Sequence, residues 1–387
     1  MKHQHLQFKL NGLKEKSHFR KARELECNGY NIAIGEKKIL NFSSNDYLGL
    51  AGDLTLQTDF FKSAPQSRCK NWMASCSSRA LTGTSPSHSL LENSIAMSYG
   101  KERALIFNSG YHVNTGILPA ITSAEDLILS DKLIHASVID GVRLGKATCI
   151  QFRHNDMNHL EQLLDDNQNK FRSIWILSES LFSMDGDYAP LTQLIALKKK
   201  YQAYLYLDEA HAVACIGENG LGLADQLGVI GDIDLLIGTF GKALAGYGGY
   251  VAGDRVLIET MENFSRSWIF STSLPPITMD WNYFIWQQLR SLATLRTQLA
   301  ATTQHFREGL HKLEQNIRGT SHIVPLLKPG NAQVIALAAK LEQAGILVLP
   351  IRSPTVASGS ERLRFSLTAG MPIDKVQQCL GQIERAL

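Results

Sequence analysis

Polar side chains that could take part in catalysis follow two apolar segments of the chain. Segments 203–207 and 234–238 have the length and composition of short buried strands. In an open α/β sheet, the residues just beyond the carboxyl ends of the strands face the ligand crevice. Two such strand ends would bring together four polar side chains: Asp208, His211, Thr239 and Lys242.

A lysine in that crevice needs a chemical task. Its amine can form a Schiff base with an aldehyde cofactor such as pyridoxal 5′-phosphate. The pyridinium nitrogen of that cofactor pairs with a carboxylate, and Asp208 is the acid at the other strand end. The combination of Asp208 and Lys242 therefore favours a pyridoxal phosphate site.

Two short motifs in the same stretch admit a different interpretation. Residues 208–211 spell the Asp-Glu-Ala-His box of certain helicases, and Gly241-Lys242 could belong to a phosphate-binding loop. That loop requires the pattern G-x-x-x-x-G-K-[ST]. Here Leu236 and Ala243 stand at the first glycine and at the hydroxyl position. The helicase interpretation is therefore disfavoured.

The composition is that of an ordinary globular enzyme. The chain has 387 residues, of which 44% are hydrophobic and 19% are charged. This length accommodates one large α/β domain and a smaller companion. The 39 basic and 36 acidic residues leave a net charge of +3. A charge this small does not indicate a surface that binds a polyanion. We expect no nucleic-acid partner.

Cysteine spacing and the absence of long apolar runs indicate a cytoplasmic protein. The cysteines show no C-x-x-C spacing, so we expect reduced thiols and no metal site. The N-terminal segment MKHQHLQFKLNGLKEK lacks the apolar core of a signal peptide. No uninterrupted apolar run is long enough to span a membrane. The cysteines are Cys27, Cys69, Cys76, Cys149, Cys215 and Cys379.

Segments of strand length alternate with helical patterns between residues 103 and 201. This alternation predicts an α/β fold with a mostly parallel sheet that is covered by helices on both faces. A smaller α/β segment follows near the C-terminus, with ILVLPIR (346–352) as one of its strands. We predict three parts: an N-terminal arm (1–45), a large cofactor-binding domain (46–275) and a small C-terminal domain (276–387).

Two further segments carry signals that the pattern alone leaves open. Residues 103–108 predict a strand, and small residues at 109–111 open the next helix. A helix N-terminus of this kind can bind a phosphate, but many such turns bind nothing. In LNFSSNDYLGL, closely spaced polar residues that include Asn45 either cap turns or face a ligand.

Eight sequence blocks together resemble the α-oxoamine synthases, which are pyridoxal phosphate enzymes of fold type I. They extend in family order from about residue 40 to about residue 370. The resemblance implies the fold-type I aminotransferase-like architecture for the large domain. The blocks are LNFSSNDYLGL, TGTSPSHSLLE, DKLIHASVIDG, ESLFSMDGDYAPL, LDEAHAVACIGENGLG, GTFGKALAGYGGYVAG, IFSTSLPP and PIRSPTVASGSERLRFSLTA.

The resemblance implies a role for each residue around the cofactor. Lys242 would bind the cofactor aldehyde and later move the proton of the substrate Cα, Asp208 would pair with the ring nitrogen, and His135 would stack on the ring. His211 and Ser183 would lie near the phenolic oxygen. The phosphate would be bound by the backbone of Gly110 and Tyr111, by the Thr239 hydroxyl, and by Ser271 and Thr272 of a neighbouring subunit. A homodimer is therefore expected.

The resemblance also implies residues for the substrates. Arg352 would bind the carboxylate of the amino acid, a task for which a planar guanidinium is suited. Asn45 would lie beside the same carboxylate, Thr355 at the substrate mouth, and Arg20 near the entrance for the acyl donor. Cys76 stands in the run Cys76-Ser77-Ser78-Arg79, where the family has a glycine-rich segment, and puts the donor in doubt.

The amino-acid sequence of the blocks favours one reaction among those of the family. It is the decarboxylating condensation of L-alanine with a pimeloyl thioester, a step of biotin synthesis. The alternatives are glycine-using 2-amino-3-ketobutyrate ligase, 5-aminolevulinate synthase, serine palmitoyltransferase and a synthase for a longer acyl chain. The sequence leaves open whether coenzyme A or acyl carrier protein carries the acyl group. A cofactor-free binding protein on the same fold is disfavoured by the presence of Lys242 and Asp208.

Overall fold

The computed structural model describes residues 2–63 and 70–387, so Cys69 lies outside the described residues. The chain forms two compact units. The terminal unit consists of Met1–Gly52, Met184–Asp187 and Thr297–Leu387, and the sheet unit of Asp53–Ser183 and Tyr188–Arg296. Residues from both ends of the chain thus share one unit. The division at residues 45 and 275 stays a prediction.

Most strands of the parallel sheet coincide with apolar runs of the sequence. The strands are β1 (Glu26–Asn28), β2 (Asn31–Ile34), β3 (Lys37–Asn41), β4 (Arg103–Phe107), β5 (Asp126–Asp131), β6 (Thr148–Phe152), β7 (Ser173–Glu179), β8 (Tyr204–Asp208), β9 (Leu235–Thr239), β10 (Gly249–Gly253), β11 (Ile323–Leu327), β12 (Ile346–Leu347), β13 (Pro350–Ile351) and β14 (Arg362–Ser366). Within the sheet unit the inner strands β5, β7 and β9 are almost completely buried, because helices cover both faces of a parallel sheet, whereas the edge strand β6 is mostly exposed.

Helices follow most strands of the sheet unit. A short 3-10 helix, Ile230–Asp232, precedes β9. The α-helices are α1 (Gln4–Glu15), α2 (Leu54–Ser63), α3 (Pro86–Tyr99), α4 (Gly110–Ile121), α5 (Ala136–Leu144), α6 (Met157–Asn167), α7 (Leu191–Tyr201), α8 (Leu223–Gln226), α9 (Arg255–Phe264), α10 (Arg266–Ile269), α11 (Pro276–Trp286), α12 (Ala293–Lys312), α13 (Asn331–Gln343) and α14 (Ile373–Ala386).

The sheet unit is built on one seven-stranded sheet in the order β4-β10-β9-β8-β7-β5-β6. Strand β10 runs antiparallel to both of its neighbours, and the pairs among β9, β8, β7, β5 and β6 are parallel. Apolar side chains of the sheet pack against α4 and α5 and form a buried core with Ile117, Val138 and Tyr206. The predicted fold class, a mostly parallel α/β sheet, is confirmed.

The terminal unit contains two small sheets, in the orders β1-β2-β3-β12 and β11-β14-β13. The prediction of one continuous strand over residues 346–352 is wrong. Strand β12 pairs in parallel with β3, whereas β13 pairs antiparallel with β14. Val348 and Leu349 separate them, so the apolar run passes from one sheet to the other.

The described residues can also be searched for membrane segments, disulfides and metal ligands. In residues 2–63 and 70–387, no helix combines the length and the apolarity that crossing a membrane requires. The same residues contain no group of three His, Cys, Asp or Glu side chains arranged for a metal ion. The cysteines within them are free thiols, three exposed and two buried: Cys27, Cys76, Cys149, Cys215 and Cys379.

Candidate active site

The carboxyl ends of β8 and β9 bring the predicted lysine and histidine into contact. Lys242 follows β9 by three residues, and its Nζ lies 2.8 Å from Nε2 of His211, which follows β8 by three residues. The strands are parallel neighbours in register, so both turns leave the sheet at the same edge. His211 is buried and Lys242 is half-buried. The amine is therefore held at the sheet edge beside an imidazole.

Asp208, the last residue of β8, is buried and is fixed by two hydrogen bonds. The amide of Asn114 donates to its Oδ2 at 3.0 Å, and the backbone N–H of Ala210 donates to its Oδ1 at 2.9 Å. Asn114 also donates to Ser137 and accepts from the hydroxyl of Tyr206. The aspartate is thus locked in one orientation by a buried polar network.

Asn114 is a site residue that the sequence reasoning missed. It lies one helical turn after Gly110, in an otherwise apolar face of α4, and is 3% exposed. A buried amide on an apolar helix face needs polar partners. A polar residue four positions after the predicted phosphate-binding turn is the sequence signal that could have identified Asn114.

His135 caps the N-terminus of α5. The backbone N–H of Ser137 donates to its Nδ1 at 3.2 Å, so the neutral ring carries its proton on Nε2. His135 has exposed surface, but partial burial of its ring lowers the pKa of the imidazole. Asp208 acts in the opposite sense on that pKa, and Lys242 lowers it further. An open, neutral ring at this place is suited to cover a flat ligand.

The N-terminus of α4 lies against the end of β9. A Cβ placed on Gly110 would be 3.5 Å from the Cβ of Thr239, so the two predicted phosphate residues are adjacent. A Cβ on Gly249 would be 2.7 Å from the backbone nitrogen of Gly110, closer than real contacts allow. Only a glycine therefore fits where β10 passes α4. The first N–H groups of α4, including that of Tyr111, lack intrahelical acceptors and can bind an anion.

Three other predicted cofactor residues occupy turns of the sheet unit. Ser183 is half-buried and follows the end of β7 by four residues. Ser271 is half-buried, and Thr272 is exposed and forms an antiparallel bridge with Ser78. The Asn108 amide donates to the Thr272 carbonyl at 2.8 Å. Their contacts with the cofactor stay predictions.

Two buried glutamates near this edge were not predicted. Glu209 accepts from the backbone N–H groups of Leu223 and Ala224, at 3.0 and 2.9 Å, and burial raises its pKa to about 7. The glutamate of the helicase-like box therefore holds the start of α8. Glu179, the last residue of β7, is 3% exposed, and burial raises its pKa to about 8. Both end apolar strands or follow them directly.

Asn45 belongs to a polar cluster of the terminal unit. Its Oδ1 accepts from the Tyr47 hydroxyl at 2.9 Å and from Arg364 Nη1 at 3.2 Å. Arg364 also donates to Ser366 at 2.8 Å. The Tyr47 ring packs edge-on against His322, whose pKa burial lowers to about 3. Sequence reasoning named Asn45 but missed Arg364, which alternates with apolar residues along β14.

The other predicted substrate residues of the terminal unit meet the segment that follows α1. The Arg352 guanidinium donates to the carbonyl oxygen of Ser17, and Arg20 donates to the Thr355 hydroxyl at 3.0 Å. Arg352 is half-buried, whereas Arg20 and Thr355 are exposed. The structure thus brings Arg20 and Thr355 together, and Arg352 to the same segment.

Cys76 adopts the left-handed backbone region, with φ of 53°, and is exposed. That region favours glycine, so the position carries backbone strain that a glycine would not. Three residues later, Arg79 donates to both carboxyl oxygens of buried Glu92, at 2.9 and 3.0 Å. The segment is therefore anchored by an ion pair although it lacks glycines.

The comparisons with known proteins agree with the geometry. The model of the aminotransferase class I and II family matches residues 37–383. The 8-amino-7-oxononanoate synthase of Haemophilus ducreyi strain 35000HP is 46% identical over 90% of this chain and 92% of its own length. The chain belongs to the α-oxoamine synthases of this family.

Solved structures of this family have a similar fold. The serine palmitoyltransferase of Sphingomonas wittichii matches with a TM-score of 0.90 and 27% identity, over 100% of this chain and 97% of its own. The 8-amino-7-oxononanoate synthase of Francisella tularensis matches with a TM-score of 0.76 and 27% identity, over 90% and 97% of the two chains. The α-oxoamine synthase resemblance seen in the sequence is confirmed.

Proposed function

We propose that this α-oxoamine synthase condenses L-alanine with a pimeloyl thioester to give 8-amino-7-oxononanoate, carbon dioxide and a free thiol. The observation that carries the proposal is the 46% identity to the Haemophilus ducreyi 8-amino-7-oxononanoate synthase over nearly the whole of both chains. In the reaction, the Cα–H bond of alanine breaks, Cα bonds to the thioester carbonyl carbon, and the C–S bond breaks with protonation of the leaving thiolate. The bond from Cα to the carboxylate then breaks to release carbon dioxide, and Cα takes up a proton, so that the reaction consumes a solvent proton overall.

The cofactor is pyridoxal 5′-phosphate, and the residues present fit it. Lys242 offers an amine for the aldehyde, and Asp208 offers a buried carboxylate for the ring nitrogen. The first turn of α4 at Gly110 offers N–H donors for the phosphate. The Thr239 hydroxyl, which donates to the Gly248 carbonyl at 2.9 Å, would have to rotate to donate to the phosphate. His135 would cover the ring. When bound, the cofactor supplies an electron-withdrawing ring for charge that develops on the amino-acid Cα.

The chain's own groups supply the remaining chemistry. Lys242 Nζ, which lies 2.8 Å from Nε2 of His211, would take the Cα proton and later return one. The Asp208 carboxyl group, which Asn114 holds in place, would pair with the ring nitrogen. His211 and Ser183 would orient the phenolic oxygen, and both stay proposals.

Substrate binding is proposed for the terminal unit. Arg352 binds the carboxylate of alanine, for which its present partner, the Ser17 carbonyl, is a weaker acceptor than a carboxylate. Asn45 assists at the same carboxylate, with its amide oriented by Tyr47 and Arg364. Arg20 and Thr355 form a polar contact that we assign to the entrance for the acyl donor.

The proposed partner is a second copy of the chain. Ser271 and Thr272 would reach the phosphate of that copy. Thr272 is exposed and Ser271 is half-buried. The two candidate carriers of the acyl group are acyl carrier protein and coenzyme A, and a cytoplasmic location stays a prediction. One chain has a mass of 42.9 kDa. Sedimentation of the purified protein with cofactor should give twice that mass, and a monomer would contradict this proposal.

The function is tested by a panel of amino acids and acyl thioesters. Alanine, glycine and serine are each combined with pimeloyl, acetyl and palmitoyl thioesters, and the products are identified by mass. We expect 8-amino-7-oxononanoate to form fastest. Serine with the palmitoyl thioester is the informative rival, because the backbone likeness to serine palmitoyltransferase has the higher TM-score. Faster turnover of that pair would overturn the proposal.

A further inference from the structure

His88, a buried histidine of α3, connects two segments of the sheet unit. The residue is 1% exposed. The backbone N–H of Ser85 donates to its Nδ1 at 3.2 Å, so the neutral ring carries its proton on Nε2. Nε2–H donates to the hydroxyl oxygen of Ser273 at 2.9 Å, and that hydroxyl donates to the carbonyl of Leu274 at 3.4 Å. His88 therefore ties the start of α3 to segment 271–274.

The surroundings of His88 keep its ring neutral. Burial lowers the pKa of the imidazole to about 3, and the positive charge of Arg79 contributes to the decrease. A second proton on Nδ1 would also face the N–H of Ser85, which now donates to that nitrogen. The direction of the hydrogen bond from Nε2 to Ser273 is thus fixed across the neutral pH range.

Segment 271–274 has further contacts through its backbone. The N–H of Ser273 donates to the carbonyl of Ser77 at 2.8 Å. The side-chain amide of Asn108 donates to the carbonyl of Thr272 at 2.8 Å. These bonds hold the segment from two sides, and the bond to His88 adds a third attachment, which is made by a side chain.

Neighbouring residues of the segment differ in exposure. Ser273 is buried and contacts His88, whereas Thr272 is exposed and Ser271 is half-buried. Successive side chains of an extended chain point to opposite sides. The contact that holds Ser273 inside therefore directs Thr272 outward. A Cβ on Gly83 would be 2.9 Å from the Cβ of Ser273, so the turn before α3 leaves the serine little room to move.

We propose that His88 is a positioning residue for the cofactor phosphate of a second copy of the chain: its bond to Ser273 fixes the direction in which Ser271 and Thr272 meet that copy. The inference rests on the proposed function, in which these two residues reach the phosphate of the second copy. A hydroxyl that is already held in place loses less conformational freedom on binding. Loss of the His88 bond should therefore weaken phosphate binding in the other chain.

The test compares two variants of the bond with a matched control. His88→Leu removes both hydrogen bonds of the ring, and Ser273→Ala removes only the acceptor in segment 271–274. The control, Ser85→Ala, removes a hydroxyl 2.8 Å from Nδ1 of the same ring and keeps the bond to Ser273. Melting temperatures of the cofactor-free proteins show whether each variant folds. If His88→Leu does not fold, Ser273→Ala takes its place in every measurement.

The first measurement compares pyridoxal 5′-phosphate with pyridoxal, which lacks the phosphate. His88→Leu should raise the Kd for pyridoxal phosphate about tenfold, because a hydrogen bond to a charged group is weakened, and Ser273→Ala should raise it about threefold or more. Both variants should keep the Kd for pyridoxal within about twofold of the wild type, and Ser85→Ala should bind both ligands like the wild type. Equal weakening for the two ligands would indicate a general loss of structure and would overturn the inference.

Hybrid dimers show which chain's site is affected. A chain with Lys242→Ala cannot join the cofactor to an amine, so the absorbance of the joined cofactor reports only the other chain's site. In the first hybrid, one chain carries Lys242→Ala and His88→Leu together, and its partner is wild type. In the second hybrid, the two substitutions lie on different chains. Only in the first does the intact site meet segment 271–274 of the His88 variant, so we expect the tenfold weakening there and wild-type affinity in the second.

Weakening in the second hybrid, or equal weakening in both, would overturn the inference, because His88 would then act within its own chain. Failure of the proposed function is distinguishable from this result. A wild-type protein that binds no pyridoxal phosphate, or that sediments as a monomer, would refute the proposed site or dimer and the inference with it. A wild-type dimer that binds the cofactor but forms another product would change the proposed reaction and leave the result of the hybrids in force.

Discussion

The residues assigned to the cofactor and those assigned to the substrates are carried by different kinds of structure. Asp208 and Thr239 are the last residues of buried parallel strands, and Lys242 follows within three residues. Arg352 and Thr355 lie on a loop between β13 and β14, and Arg20 follows α1. The first group is fixed by a sheet and a buried amide network. The second group rests on single contacts at partly exposed side chains.

This difference teaches where the chain can vary. Groups that must be held to a fraction of an ångström are best placed on rigid elements. Loops tolerate substitution more readily and are where binding residues concentrate. We therefore expect changes in the sheet unit to abolish chemistry, and changes in the terminal unit to alter the choice and affinity of substrates.

The largest effect is expected for Lys242→Ala. The variant loses the amine that moves the Cα proton, so kcat/KM should fall on the order of 1,000-fold or more. Steady-state kinetics with alanine and the pimeloyl thioester measure the loss. Lys312→Ala, at an exposed lysine of α12, is the control and should behave like the wild type. Activity retained in Lys242→Ala would remove the basis for the assignment.

Asp208→Asn should have the next largest effect. The amide keeps the size of the side chain but removes the charge proposed for the ring nitrogen, so kcat should fall on the order of 100-fold. Asn114→Leu removes the donor to Asp208 Oδ2 and the bonds of Asn114 to Ser137 and Tyr206, but it leaves the Asp208 carboxyl group in place and should cost less. Measurement of kcat for both variants gives their order. A larger loss of kcat in Asn114→Leu than in Asp208→Asn would contradict this order of effects.

Arg352→Ala tests the other side of the comparison. The loss of a charge-assisted pair with the alanine carboxylate should raise KM for alanine about 30-fold. Arg352→Lys should lie between this variant and the wild type, because an ammonium cannot make the two-pronged contact. Initial rates over a range of alanine concentrations measure both. A change in kcat alone would argue that Arg352 acts elsewhere.

The smallest effect is expected for Arg20→Ala. Its contact with Thr355 is exposed to solvent, where such interactions contribute little. We expect KM for the thioester to change by no more than about threefold, with KM for alanine unaltered. A tenfold change in KM for the thioester would contradict this expectation. It would show that Arg20 contributes more to binding than its exposure suggests.

Much of the sheet unit could be predicted, because continuous apolar runs mark buried parallel strands and polar residues mark their ends. Strand β10 was not predicted, because its glycine-rich sequence has few of the β-branched residues that are typical of strands. The split of 346–352 escaped as well, because an apolar run does not reveal that two sheets share it.

The missed polar residues have a common cause. Glu179 ends an apolar strand in the same way as Asp208, and Asn114 lies on an otherwise buried helix face. Which of several such residues meet depends on strand order, and the order β8-β7-β5 is a property of the whole sheet. Residue chemistry at the strand ends, together with the family resemblance, gave Asp208 and Lys242 their roles but drew no attention to the residues that hold them in place.

The contact between β10 and α4 has a consequence for engineering the enzyme. Because a Cβ on Gly249 would collide with the backbone of Gly110, a saturation library at position 249 should return glycine alone among active clones. Position 76 is the opposite case, since a cysteine already occupies a conformation open to glycine. Libraries that seek a new acyl donor should therefore leave the β10 crossing untouched and spend their diversity near Cys76 and Arg20.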